Sequence, residues 1–123
     1  MSSAYKVGVI GGGAWGTALA VLANRAGSEV LQHIRNQNVV TMVEDHRIND
    51  VYLPGIYISP DIKLTQSVKD LSQNDLIIVA TPTSNVRAIC IALSDTLSEK
   101  TPILIASKGI ERGSLMLMSE VCQ

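Results

Sequence analysis

The hexamer Gly11-Gly12-Gly13-Ala14-Trp15-Gly16 constrains this chain more than any other feature. It matches G-x-G-x-x-G, with glycine at its first, third and sixth places. It follows an apolar run, Lys6-Val7-Gly8-Val9-Ile10, of the kind that forms a strand buried on both faces. It opens a segment with helical spacing. Each glycine meets a separate demand. Gly11 lets the strand turn tightly, Gly13 leaves the backbone open to a pyrophosphate, and Gly16 lets the helix pack against the strand. The helix N-terminus adds unpaired N–H groups and the positive end of its dipole. A strand, turn and helix within a unit of about 30 residues is the context this motif requires. A tight glycine turn with no ligand is the plain alternative. A P-loop is excluded, because Gly16-Thr17 lacks the lysine that cradle needs before its threonine.

The rest of the chain continues the alternation. Ala14 to Ala26 reads as a helix, with Trp15, Ala18, Leu19, Leu22 and Ala26 on one stripe and Gly27 as its stop. Glu29 to Ile34 is a second strand. Asn36 caps a helix that runs to about His46. Residues 47 to 61 carry Pro54, Gly55 and Pro60 and are expected to be irregular. A short strand from Ile62 to Thr65 follows, then one or two helical turns over Ser67 to Leu71. Asp75 to Ala80 is the clearest strand. Ser84 or Asn85 caps a helix through Leu97 in which Val86, Ile89, Cys90 and Leu93 share a face. Pro102 to Ala106 is a further buried strand, and Gly113-Ser114 opens an apolar helix with Leu115, Met116, Leu117, Met118 and Val121. This order predicts an α/β fold: a Rossmann-type, doubly wound, mainly parallel sheet, incomplete at the C-terminal end.

Composition limits the function classes. The chain has 123 residues, about one domain's length. Its 10 Lys and Arg against 11 Asp and Glu give a net charge of −1, without the basic footprint of a nucleic-acid binder. No apolar run approaches the ~20 residues of a membrane span, and the start lacks the pattern of a signal peptide. Cys90 and Cys122 lie in apolar surroundings and read as buried thiols in a reducing compartment, so a cytoplasmic setting is expected. His33 and His46 lack the spaced partners of a metal site. Neither cysteine has a basic activator near it in sequence, so no nucleophilic arrangement is expected.

A dinucleotide unit for NAD usually places a carboxylate at the end of its second strand. Here that stretch is Gln32-His33-Ile34-Arg35-Asn36, with no carboxylate. Arg35 stands where a guanidinium would pair a 2′-phosphate. The reading favours NADP(H), with NAD(H) left open. A solvated arginine at a strand end is the alternative.

The run Val9 to Ala20, Val-Ile-Gly-Gly-Gly-Ala-Trp-Gly-Thr-Ala-Leu-Ala, resembles the opening of bacterial NAD(P)-dependent glycerol-3-phosphate dehydrogenases. Asn49-Asp50-Val51-Tyr52-Leu53-Pro54-Gly55 is similar to that family's Asn-x-x-Tyr-Leu-Pro-Gly segment. Val79-Ala80-Thr81-Pro82-Thr83 and Ser107-Lys108-Gly109-Ile110 resemble its turns after the fourth and fifth strands. The four segments in this order cover essentially the whole chain. The resemblance implies interconversion of glycerol 3-phosphate and dihydroxyacetone phosphate by hydride transfer, which serves glycerophospholipid synthesis. It implies cofactor contacts at Gly11, Gly13, Ala14, Trp15, Gly16 and Arg35, and a place for Lys108 where cofactor and substrate meet. Pro82 ends the strand from Asp75 at the edge of the sheet where ligands bind, and is either a contact on the nicotinamide side of the cofactor or a helix-entry turn. Ala14 departs from the serine often found there, and His33 stands near a position often held by tryptophan.

The same resemblance implies that residues 1–123 are the dinucleotide-binding domain, and that the helical substrate domain, with the lysine for proton transfer, lies outside this chain. No catalytic residue is therefore expected within it, and the isolated chain is expected to bind cofactor without turnover. The unpartnered face from Leu115 to Met118 suggests self-association. Two other functions fit the glycine turn: a stand-alone dinucleotide-sensing module, and another two-domain NADP reductase. Neither accounts for the Lys108-Gly109 segment. Tyr52-Leu53-Pro54 is either a lid or edge packing, and Trp15 either core packing or a cofactor contact.

Overall fold

The computed structural model describes residues 5–50, 53–81, 83–94 and 101–106. Its elements run β1 (Lys6–Ile10), α1 (Ala14–Arg25), β2 (Glu29–His33), α2 (Gln37–His46) and β3 (Lys63–Thr65). A 3-10 helix (Val68–Gln73), β4 (Leu76–Val79), α3 (Thr83–Ser94) and β5 (Ile103–Ile105) complete them. The strands form one sheet in the order β3-β2-β1-β4-β5, and every pairing is parallel. The chain builds outward from β1 to β3, then crosses back to place β4 on the other side of β1. That reversal makes a crevice at the carboxyl ends of β1 and β4, the place where open α/β sheets bind ligands. The register sets those ends level: Ile10 lies beside both His33 and Val79.

Both faces of the sheet are covered, which is why the central strands are apolar throughout. Val7 and Val9 of β1 face a core shared with Ala20, Val21, Val39 and Val43. Ile10 faces the opposite core, with Leu71, Ile77, Val79 and Leu93. Gly8 on that second face is matched to the 3-10 helix: a Cβ there would come within 2.8 Å of Leu71 Cδ2.

The helix ends follow the local chemistry. The Asn36 side chain accepts from the N–H groups of Asn38, at 2.8 Å, and Val39, at 3.3 Å, as its sequence position predicts. Gly27, with φ +97°, follows the end of α1 as the expected stop. The helix α3 starts at Thr83, one or two residues before the predicted caps; its continuation to Leu97 and the helix after Gly113 lie outside the described residues.

Two expectations are corrected. In α1 the stripe of large residues meets the core only in part: Leu19 packs against it, but Trp15 is 57% and Leu22 58% exposed. The buried face is Gly16, Thr17, Ala20 and Val21. Small side chains let the helix come close to the sheet, and bulkier ones would hold it off. Cys90 is disulfide-bonded rather than a free thiol. Apolar surroundings suit a thiol and a disulfide alike, so they were no guide.

The described residues between 47 and 61 carry no strand or helix, as predicted, but they are tied down; the strand expected from Ile62 begins at Lys63. Arg47 ends α2 with φ 55°. Its Nε donates to the Ile58 carbonyl at 3.0 Å, and its Nη2 to the carbonyls of Ser59 and of Ile62, the latter at 3.0 Å. Ile58 and Ile62 are thereby held in the core, each 1% exposed. Among the described residues, no helix is long and apolar enough to cross a membrane.

Candidate functional site

A cleft of about 420 Å³ opens at the crevice between β1 and β4. That lies within the roughly 300–1,000 Å³ of small-molecule sites. The turn after β1 supplies Gly11, Gly12 and Gly13; the end of β2 supplies His33 and Arg35; the end of β4 supplies Ala80 and Thr81. Val68 and the Ala88, Ile89 and Ala92 face of α3 make the rest of the wall. The cleft is therefore apolar along α3 and carries its polar groups where the strands end.

The three motif glycines have three different surroundings. Gly11 has φ +140°, and a Cβ there would lie 2.4 Å from the Ala80 carbonyl oxygen. Only glycine allows both that conformation and that approach. A Cβ on Gly16 would lie 2.4 Å from the Gly11 carbonyl oxygen, so the helix rests directly on the turn. A Cβ on Gly13 would meet nothing within 4 Å. Gly13 is the residue before α1, and the space over it is open.

Ala14 and Trp15 are exposed in the first turn of α1. Arg35 is exposed at the rim, and its carbonyl accepts from Gln66 Nε2 at 3.3 Å, which fixes the backbone after β2. His33 is buried, and its Nε2–H donates to the Gln66 carbonyl at 3.3 Å. Burial lowers its pKa below the ordinary 6.5; the Arg35 charge pushes the same way, while the Gln66 carbonyl and Asp70 oppose. His33 is thus a neutral ring on the wall at pH 7. Pro82 and Lys108 lie outside the described residues. No cluster of metal-ligating side chains occurs among the described residues.

Sequence reasoning missed the polar groups behind the turn. Gln32, Thr17 and Asn49 are all fully buried. Gln32 Nε2 donates to the Gly11 carbonyl at 2.8 Å, and Asn49 Nδ2 to the Gly12 carbonyl at 2.9 Å. Both also reach Thr17 Oγ1, at 3.3 and 3.1 Å. One signal was available: Gln32 is a polar residue next to the apolar pair Val30-Leu31 in a strand that the β-α-β order places beside the buried β1. Asn49 carried none, because its partner is 37 residues away.

A parallel, doubly wound sheet with a G-x-G-x-x-G turn at its switch point defines the Rossmann-type α/β class. Within that class, residues 6–123 match the family described as NAD-dependent glycerol-3-phosphate dehydrogenase N-terminus. The chain belongs to that family. It is 44% identical to the glycerol-3-phosphate dehydrogenase [NAD(P)+] of Caulobacter vibrioides over 94% of its own length. It is 40% identical to the protein of that name from Paramagnetospirillum magneticum, again over 94%. It spans 35% and 42% of the lengths of these two curated relatives. A crystal structure of glycerol-3-phosphate dehydrogenase from Coxiella burnetii superposes with a TM-score of 0.87 at 26% identity, covering 97% of this chain and 37% of that one.

Proposed function

We propose that this chain is the cofactor-binding domain of an NAD(P)-dependent glycerol-3-phosphate dehydrogenase. The observation that carries the reading is the open space over Gly13, at the switch point of the sheet, in a chain of this family. A side chain at Gly13 would fill that space, so the residues present fit a group that needs close backbone approach. The 44% identity to a protein of that name favours this dehydrogenase over another two-domain NADP reductase.

When bound, the nicotinamide donates a hydride to C2 of dihydroxyacetone phosphate or accepts one from C2 of glycerol 3-phosphate. In the reducing direction the product is the glycerol-phosphate backbone of phospholipids. The chain's own part is binding and orientation. The glycine turn and the start of α1, with Ala14 and Trp15 in its first turn, take the pyrophosphate. The end of β2 takes the adenosine ribose. Ala80 and Thr81, with Pro82 next in sequence, lie toward the nicotinamide side. Lys108, just after β5 in sequence, supplies a positive charge to bind the substrate and polarise its carbonyl oxygen. Proton transfer falls to a group in the length of the relatives that this chain does not span.

Arg35 directs the preference toward NADP(H). It lines the cleft, and residues 32–36 hold no carboxylate for a ribose 2′-hydroxyl. Titration calorimetry with NADPH and NADH tests the assignment. Arg35→Ala is expected to weaken NADPH about tenfold or more and to leave NADH unchanged. Failure of the chain to bind either nucleotide overturns the reading. Binding without oxidation of NADPH by dihydroxyacetone phosphate is the expected behaviour of the chain alone. A cytoplasmic setting goes with this reading and predicts reduced thiols, whereas a Cys90 disulfide in the isolated protein would mark an oxidising compartment. Counting thiols in protein isolated with its thiols blocked decides between the two.

A further inference from the structure

We propose that Gln32 and Asn49 are positioning residues that aim the backbone N–H groups of Gly12 and Gly13 at the pyrophosphate; this rests on the cofactor reading above. In a trans peptide the carbonyl of one residue and the N–H of the next point in opposite directions, and the described residues contain no cis bond. Gln32 holds the Gly11 carbonyl at 2.8 Å, so the N–H of Gly12 points away from Gln32. Asn49 holds the Gly12 carbonyl at 2.9 Å, so the N–H of Gly13 points away from Asn49. Among the described residues neither N–H has a backbone acceptor. Two successive amides turned outward from a buried clamp make an anion-binding concavity. Glycine peptides have little steric preference of their own, so something else must choose this orientation. The two buried amides do.

Thr17 joins the clamp. Its Oγ1 accepts from both amides, which ties α1, β2 and the segment after α2 to the same turn. The cost of the arrangement is visible. Gln32 Oε1 is buried with no hydrogen-bond partner among the described residues. A buried acceptor left unmade is unfavourable, and an apolar side chain would suit this fully buried place in β2. A role for its N–H group at the turn explains why an amide stands there. It also assigns a purpose to the Asn49 end of the Asn-x-x-Tyr-Leu-Pro-Gly segment: it reaches back to the glycine turn.

The test uses Gln32→Leu and Asn49→Leu in the full chain, which remove the donors without opening a cavity. Two probes are titrated: ADP-ribose, which contains the pyrophosphate, and 2′-AMP, which does not. Each variant is expected to bind ADP-ribose about ten- to a hundredfold more weakly and 2′-AMP as the unaltered chain does. The amide resonances of Gly12 and Gly13 are expected to shift on adding ADP-ribose to the unaltered chain, and less in the variants. Equal weakening of both probes, in step with the melting temperature, marks a merely structural role and overturns the proposal. So does unchanged ADP-ribose affinity, which leaves the cofactor reading intact. If the unaltered chain binds neither probe, the cofactor reading itself fails. Where a leucine variant does not fold, Thr17→Val is compared with Thr17→Ser. Only the valine variant, which lacks the shared acceptor, is expected to lose ADP-ribose affinity, and equal affinities refute the clamp.

Discussion

Alanine at Gly13 and alanine at Gly16 are expected to fail in opposite ways. Gly13 has φ −79° and ψ −171°, a conformation open to any residue, and its Cβ direction is empty to 4 Å. Gly13→Ala therefore meets no clash in the fold. It gains about 0.4–1 kcal/mol by narrowing the unfolded ensemble and loses a few tenths because alanine caps a helix less well than glycine. Stability should stay within about 1 kcal/mol of the parent. The methyl group instead occupies the space over the turn, and NADPH affinity is expected to fall at least about tenfold, or ~1.4 kcal/mol. Gly16→Ala puts its Cβ 2.4 Å from the Gly11 carbonyl oxygen and 2.9 Å from its carbon. Ordinary contact begins at 3.4 Å, so helix and turn must separate by 3.4 − 2.4 = 1.0 Å. Both contacts are backbone, and no rotamer change relieves them. Overpacking of this kind costs about 1–3 kcal/mol, which lowers the melting temperature by about 5–15 °C in a domain of this size. Thermal unfolding by circular dichroism, paired with NADPH titration by fluorescence, reads both effects. A Gly13→Ala protein that binds NADPH like the parent, or a Gly16→Ala protein that melts with it, refutes the division of labour in the turn.

Other perturbations have equally definite signs. Burial lowers the His33 pKa below 6.5, so below that pH the unfolded chain takes up a proton that the folded chain does not. Stability from this group is fully present above pH 6.5 and is lost as pH falls toward the folded value; urea midpoints of His33→Gln are expected to show a flatter slope in that window. Arg47→Ala removes the donors to the carbonyls of Ile58, Ser59 and Ile62 and is expected to cost about 2–4 kcal/mol; early cleavage between residues 50 and 60 in limited proteolysis checks it. Asn36→Ala deletes the cap of α2 and should cost about 1 kcal/mol by urea unfolding, with no change in NADPH affinity.

What the sequence disclosed and what it withheld divide along a physical line. The order of strands and helices, the glycine turn and the Asn36 cap were legible because each depends on neighbours a few residues away. Period, capping and turn chemistry are local properties. The buried face of α1 was misread because a count of large apolar residues assumes that burial selects for size. Next to a glycine turn it selects for closeness, and Gly16, Thr17 and Ala20 win over Trp15 and Leu22. Arg47 and Asn49 were invisible for another reason. Each acts on carbonyls 11 or more residues away, and a backbone carbonyl leaves no mark in a sequence. The same distinction bears on the site. The three motif glycines say where a ligand can approach, but they do not say which way the amides face. That information sits in Gln32, Thr17 and Asn49, drawn from three separate segments and brought together only by the fold. A chain with the glycines but without those amides would keep the space over Gly13 and lose the orientation that makes it a phosphate site.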